Sequence, residues 1–192
     1  MSLYNIDRLR SSLKQGGAIN SKYKIDIKIP TLLRSLPFFK TVNISGEYLS
    51  IMANRTSIPG KSMSTVKVYH RGQPFVIRGA AQFNNTHKIT FYNTPDMDIH
   101  QLFSDWIYRI DSFDSTITQS IFLGNYVGFN SVGAGYMSDI IVSQLSSDGK
   151  TETKFKLCYT FPIDIAEVEL SASGKEISST EVTFAYTYWE RV

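Results

Sequence analysis

The stretch Ser138–Thr160, SDIIVSQLSSDGKTETKFKLCYT, decides how the chain reads. Two runs of β-type residues, partly alternating polar and apolar, meet at Ser147-Asp148-Gly149-Lys150. Asp-Gly tolerates the positive φ angles of a tight turn, so one long antiparallel hairpin is expected. Each arm runs to about ten residues, where five or six is usual for a strand. A hairpin of that length with a polar stripe cannot bury itself. It needs other strands to pair with.

Upstream, Ser64–Ala80 repeats the pattern around Arg71-Gly72, with Val66 and Val68 in one arm and Phe75, Val76 and Ile77 in the other. Pro74 makes the start of its return arm irregular. Lys22–Ile29 alternates strictly, with Tyr23, Ile25, Ile27 and Ile29 against Lys22, Lys24, Asp26 and Lys28, and Pro30 ends it. Glu47–Ala53 and Lys88–Tyr92 read as further strands, and Ile58-Pro59-Gly60 as a turn. Downstream come Phe161-Pro162, the run Ala166–Ser171 and a polar turn at Ser173-Gly174-Lys175. The closing strand, Glu181–Trp189, sets Val182, Phe184, Tyr186 and Tyr188 against Thr183, Ala185 and Thr187.

One helix stands out. Ile99, Leu102, Phe103, Trp106, Ile107 and Ile110 fall on one face, so it should lie against a sheet. Asp98 is expected to cap it, with Gln101 completing a capping box. A shorter N-terminal helix carries Leu3, Ile6, Leu9 and Leu13 and stops at Gly16-Gly17. Residues 31–46 and 111–135 read as long loops, of the kind that serve as insertions or interaction elements. Strand-rich order with few helices points to a mainly β chain, a sandwich or barrel, in one domain over residues 1–192.

Composition narrows the functional classes. A net charge of +3, with cations dispersed among acids, gives no nucleic-acid-binding surface by itself. The single cysteine, Cys158, excludes an internal disulfide. Asp7, Arg8 and Arg10 interrupt any signal-peptide core, and no apolar run approaches the ~18 residues of a membrane span. His70, His87 and His100 lie at spacings that no metal motif uses. Gly133-Ala134-Gly135 lacks the remaining glycines and the strand–helix context of a dinucleotide fingerprint. Helix capping explains Asp96 and Asp98 more simply than paired catalytic carboxylates. Nothing here recommends an enzyme, a cofactor or a metal.

The ordered set of elements resembles the tail tube protein of contractile-tailed, T4-type bacteriophages. The residues that carry the resemblance are the N-terminal helix with strand Tyr23–Ile29, the turn Ile58-Pro59-Gly60 entering a long hairpin, and Ile89-Thr90-Phe91-Tyr92 leading to Phe103-Ser104-Asp105-Trp106. The second hairpin follows, with Phe161-Pro162, Val168-Glu169-Leu170 and the aromatic close Phe184-Ala185-Tyr186-Thr187-Tyr188-Trp189-Glu190.

The resemblance implies a sandwich-like or barrel-like tail tube fold in hexameric rings, two hairpins per subunit completing a barrel around a channel. The implied partners are other copies of the chain, the tail sheath, the tape-measure protein, baseplate tube proteins, and DNA passing without sequence-specific binding; the implied location is the virion tail. Lys67, Tyr69, Glu152, Lys154 and Lys156, with Cys158, are then expected to face the channel. Val66, Val68, Thr153, Phe155, Leu157 and Tyr159 are expected to face the subunit core, and the turns Arg71-Gly72 and Asp148-Gly149 other subunits. Alternatives are a tube-initiating or baseplate tube protein, the inner tube of a related injection or secretion system, and a small nucleic-acid-binding β-barrel using Lys154, Lys156 and Tyr69.

Overall fold

Strand β7 (Glu152–Ile165) is the longest in the fold and serves neighbours along its whole length. The computed structural model describes residues 19–30, 33, 45–110, 136–146, 152–171 and 177–192. In it, β6 (Ser138–Leu145) pairs with β7 from Leu145↔Glu152 to Ser138↔Thr160, the hairpin that the opening stretch dictates. On its other side β7 meets β9 (Tyr188–Arg191) along Phe155–Cys158 and β8 (Ser179–Ala185) along Phe161–Ile165. The antiparallel sheet continues through β1 (Tyr23–Ile27) beyond β6, and through β5 (Thr86–Tyr92) and β2 (Ala53–Arg55) beyond β8.

The two ends of this sheet come together. The Tyr23 hydroxyl donates to the Ala53 carbonyl at 2.9 Å, tying β1 to β2. Helix α1 (Gly46–Met52) covers the outer side of β1, where the Ile25 N–H donates to the Ser50 hydroxyl at 3.2 Å. These contacts give both terminal strands partners within the body of the subunit.

Ile25, Ile27, Ile140, Val142 and Leu157 from one half of the sheet meet Ile89, Phe91, Val182 and Phe184 from the other. Between them lies α2 (Asp98–Ile110), whose Ile99, Leu102, Phe103 and Trp106 are all buried. Phe103 stands edge-on to Phe184 at 5.5 Å and tilted against Phe91 at 5.4 Å. The Trp106 indole N–H donates to the Tyr136 carbonyl at 2.8 Å, so its polar edge is satisfied inside the core.

Four local expectations are corrected. Residues 46–52 are helical, not extended: Ser45 caps the segment by accepting the Tyr48 N–H at 3.2 Å. A strand would have set Leu49 and Ile51 on the same face, whereas Leu49 is fully buried and Ile51 is 73% exposed. Asp98 does not cap α2 but sits in its first turn, accepting from the hydroxyls of Thr94 and Tyr48, while Gln101 reaches the Asp96 carbonyl. Burial pushes the Asp98 pKa up, but the hydrogen bonds from Thr94, its own backbone and Tyr48 outweigh it and leave the carboxyl lowered. The closing strand is split into β8 and β9 at Tyr186-Thr187, whose N–H groups donate to Asn85 and Cys158 carbonyls. Residues 166–171, where the resemblance implies a strand entry at Val168-Glu169-Leu170, are irregular, because the ladder with β8 ends at Ala166 N–H to Glu181. The N-terminal helix and most of the two long loops lie outside the described residues.

Replacing Phe103 by Ala should destabilise the subunit by about 3–5 kcal/mol, the usual cost of removing a fully buried aromatic. Urea unfolding of monomeric protein measures this; a loss under ~1 kcal/mol would contradict the packing described.

Candidate assembly surfaces

Strands β3 (Lys61–His70) and β4 (Gln73–Phe83) pair with each other and, among the described residues, with no other strand. They form an arm projecting from the body. Its tip is a two-residue turn with φ of 49° at Arg71 and 80° at Gly72, both positive, as a type I′ hairpin turn requires. Glycine adopts this conformation freely, but an arginine there costs about 1 kcal/mol.

A bulge between Met63 and Thr65 shifts the register partway along the arm. It brings Gly79 against Ser64, where a Cβ would collide with the Ser64 hydroxyl and lie 2.9 Å from its carbonyl oxygen. Beyond the bulge Val66, Val68, Phe75 and Ile77 share one face, and Thr65, Lys67, Tyr69, Val76 and Arg78 the other.

Among the described residues, no strand or helix covers the apolar face. Val66 and Phe75 are each 48% exposed, and Ile77 is 45% exposed. Val66, expected to point into the subunit core, is thus exposed instead, while Val68 is half-buried. Alternation fixes which residues share a face, but not which body that face meets. Lys67, Tyr69, Arg71 and Gly72 are all exposed. The arm also carries Lys61, Lys67, Arg71 and Arg78 and no carboxylate.

At its base the arm is anchored. The Trp189 indole N–H donates to the Gly60 carbonyl at 2.9 Å, and its ring stands edge-on to Phe83 and Phe155 at 6.4 and 5.7 Å. Lys61 lies 5.2 Å above the Phe83 ring. Behind the strand entering the arm, His87 is buried with its Nε2 3.1 Å from the Thr56 hydroxyl.

The second surface is the face of β6, β7 and β9 opposite the core. Glu152, Lys154 and Lys156 alternate along it, and Leu157 turns inward to full burial. Lys154 pairs with Glu152 at 3.1 Å; Lys156 pairs with Asp139 at 3.2 Å and approaches Glu190 at 3.9 Å. Hydrogen bonding to Asp139 raises the Lys156 pKa. The other Asp139 oxygen accepts the Tyr159 N–H at 3.4 Å.

That last contact sits at a bulge: Ile140 pairs with Leu157 but Ser138 with Thr160, so β7 holds one extra residue. Tyr159, at φ 56°, turns its ring toward Tyr188 (6.0 Å between centroids), and Thr160 is buried instead. Tyr159 is thus not a core residue as alternation predicts. Cys158 is buried despite lying on the charged face, and that burial pushes its thiol pKa up. Phe155 is half-buried against Trp189. Asp148 and Gly149 lie outside the described residues.

Between the β1–β6 end and β2 runs an open groove of about 730 Å³, lined by Tyr23, Arg55, Thr56, Tyr92 and Gln144 among others. Among the described residues no three His, Cys, Asp or Glu side chains gather as metal ligands would, and no helix is long and apolar enough to cross a membrane. The features that stand out among the described residues are the arm and the charged sheet face.

Residues 18–192 match the family described as phage tail tube protein. The chain belongs to that family. It is 27% identical over 154 residues to tail tube protein gp19 of Enterobacteria phage T4, across 78% of this chain and 85% of that one. Its likeness to gp19 of phage T6 has the same identity and extent.

Three solved structures share the fold of this tail tube protein. One belongs to the sheath–tube complex of the extracellular contractile injection system PVC, at a TM-score of 0.54 and 16% identity, over 95% of this chain and 96% of that one. Another belongs to the six-fold symmetrised baseplate of the anti-feeding prophage, at 0.53 and 9%, over 91% and 95%. A third, from the PVC sheath/tube terminator, gives 0.51 and 12%, over 90% and 94%. A tail tube protein is a structural component of the virion tail, which accords with a molecule whose conspicuous features are a projecting arm and a charged sheet face.

Burial drives the His87 pKa from 6.5 down to about 4. Since the folded value lies below the unfolded one, the unfolded chain binds the extra proton between these limits. The stabilising contribution of neutral His87 is complete above about pH 6.5 and is lost as the pH falls toward 4, amounting to roughly 3 kcal/mol. His87→Gln keeps a neutral partner for Thr56 and should flatten the urea-midpoint profile of the monomer across that window. An unchanged slope would contradict the assignment.

Proposed function

We propose that this tail tube protein forms hexameric rings that stack into the tube, and that DNA and the tape-measure protein pass through the channel so enclosed. The observation that carries the reading is the arm β3–β4. A lone two-stranded ribbon is marginal in water, and among the described residues this one has two open edges and an apolar face. Neighbouring subunits that cover Val66, Val68, Phe75 and Ile77 and pair with the arm's edges would satisfy both.

In that arrangement Lys67 and Tyr69 turn toward the channel, together with Glu152, Lys154 and Lys156. The ion pairs of Lys154 with Glu152, and of Lys156 with Asp139 and Glu190, favour a lining that lets DNA slide. Tight binding of a phosphate backbone comes from cations that neutralise it, and these lysines already have carboxylate partners. No catalysis enters the role. The six-fold symmetry named for the similar baseplate supports rings of six, and the sheath–tube complex supports a sheath on the outside. Likeness to a tube terminator and a baseplate component supports a second reading, a ring that starts or ends a tube.

Concentrated protein should sediment as hexamers and longer polymers and appear in negative stain as rings and tubes. Rings that never lengthen would favour the initiator or terminator role. A persistent monomer would overturn the reading. Val66→Asp with Phe75→Asp should abolish rings while leaving monomer unfolding within about 1 kcal/mol of wild type, since neither side chain packs in the core.

A further inference from the structure

The arm's tip keeps an arginine where turn geometry favours Asn, Asp or Gly. Arg71 takes a φ of 49° with its side chain exposed, and among the described residues it makes no ion pair. A side chain retained against local backbone preference points to a task outside the turn.

A segment of complementary character lies elsewhere in the molecule. The run Phe161–Leu170 contains Asp164, Glu167 and Glu169 and no cation. Asp164 lies near Lys88, but Glu167 and Glu169 are exposed and, among the described residues, in no ion pair. Around them Ile163, looped out by a second register shift in β7, is 46% exposed, and Leu170 is 86% exposed.

The two features attach to the sheet at different points. The arm joins at the end of the β5–β8 ladder marked by Thr86↔Ala185, whereas β7 runs back along β8 from Phe161↔Ala185 to Ile165↔Val182, and Glu167 and Glu169 follow its last ladder bond, Ala166 N–H to the Glu181 carbonyl. Four residue steps, from Ala185 to Glu181, separate the arm's base from the start of that acidic pair, about 13 Å. Two different patches, one basic and one acidic, suit a head-to-tail contact, which repeats without closing and so builds a filament.

We infer that the arm's tip docks, through Arg71, on the Ile163–Leu170 segment of a second copy of this chain, with Glu167 and Glu169 accepting the guanidinium. The inference rests on the tube reading and names the contact that would join one ring to the next. A planar guanidinium matches a carboxylate with two parallel hydrogen bonds. DNA is the poorer match, because grip on a phosphate backbone takes many convergent cations and the tip offers one permanent charge.

The test compares wild type with Arg71→Glu, with Glu167→Arg/Glu169→Arg, and with the triple variant that swaps the charges. Sedimentation and negative-stain imaging at low salt count rings and tubes, and a filter assay with duplex DNA runs alongside. Each charge reversal should leave rings intact and cut tube mass at least about tenfold, and the triple variant should recover most of it. Arg71→Asn should raise the arm's resistance to urea, by relieving the turn, yet still cut tube mass. Arg71→Glu tubes as abundant as wild type would overturn this contact alone. Failure of the triple variant to recover, with DNA binding lost in Arg71→Glu, would overturn it in favour of DNA. Absence of rings from the wild type would overturn the tube reading and this contact with it.

Discussion

Backbone N–H and C=O groups along a strand edge must find partners, and this subunit satisfies that demand in one part and not in another. In the body, Tyr23 ties β1 to the Ala53 carbonyl of β2 and Ser50 takes the outward N–H of Ile25, so the terminal strands have partners within the subunit. In the arm, β3 and β4 have each other and nothing more among the described residues. The contrast is what makes a self-sufficient body carry an element that is not self-sufficient. The proposed tube uses both: a rigid block, and a strand pair whose unmet bonds would direct it to its neighbours.

The body owes its shape to the extra residue in β7. With Tyr159 bulged out, the strand runs beside β6 and β9 in its first half and beside β8 in its second, and the core can lie between the two halves of the sheet. Asp139 holds this point, joining the bulged N–H to the Lys156 ammonium from a nearly buried position. The same carboxylate thus fixes the turn of the wall and reduces the free positive charge on the face proposed for the channel. Structure and surface charge share one anchor.

Much of this was legible in the sequence wherever a period persisted. The alternation of Tyr23–Ile29, the Arg71-Gly72 hairpin turn, the pairing of the arms flanking 147–151, and the apolar face from Ile99 to Ile110 each had several residues voting the same way. The failures fall where one residue broke the count. Tyr159 accompanies a bulge, and alternation carried through an unseen bulge assigns side chains to the wrong side. Residues 46–52 offered both periods, and the Ser45 cap, a single hydroxyl, tips them to helix. The face of Val66 and Val68 failed for another reason. Its alternation was read correctly, but no described element of the subunit packs over Val66, and alternation alone does not say which body a face meets.

Amide hydrogen exchange, followed along β3 and β4 before and after polymerisation, tests the central claim most directly. In the free subunit the outward amides of the arm should exchange far faster than those of β5–β8, and on assembly they should become protected to the level of the body. Arm amides already as protected in the free subunit as those of β5–β8, or equally fast in exchange once tubes have formed, would contradict an arm completed by its neighbours.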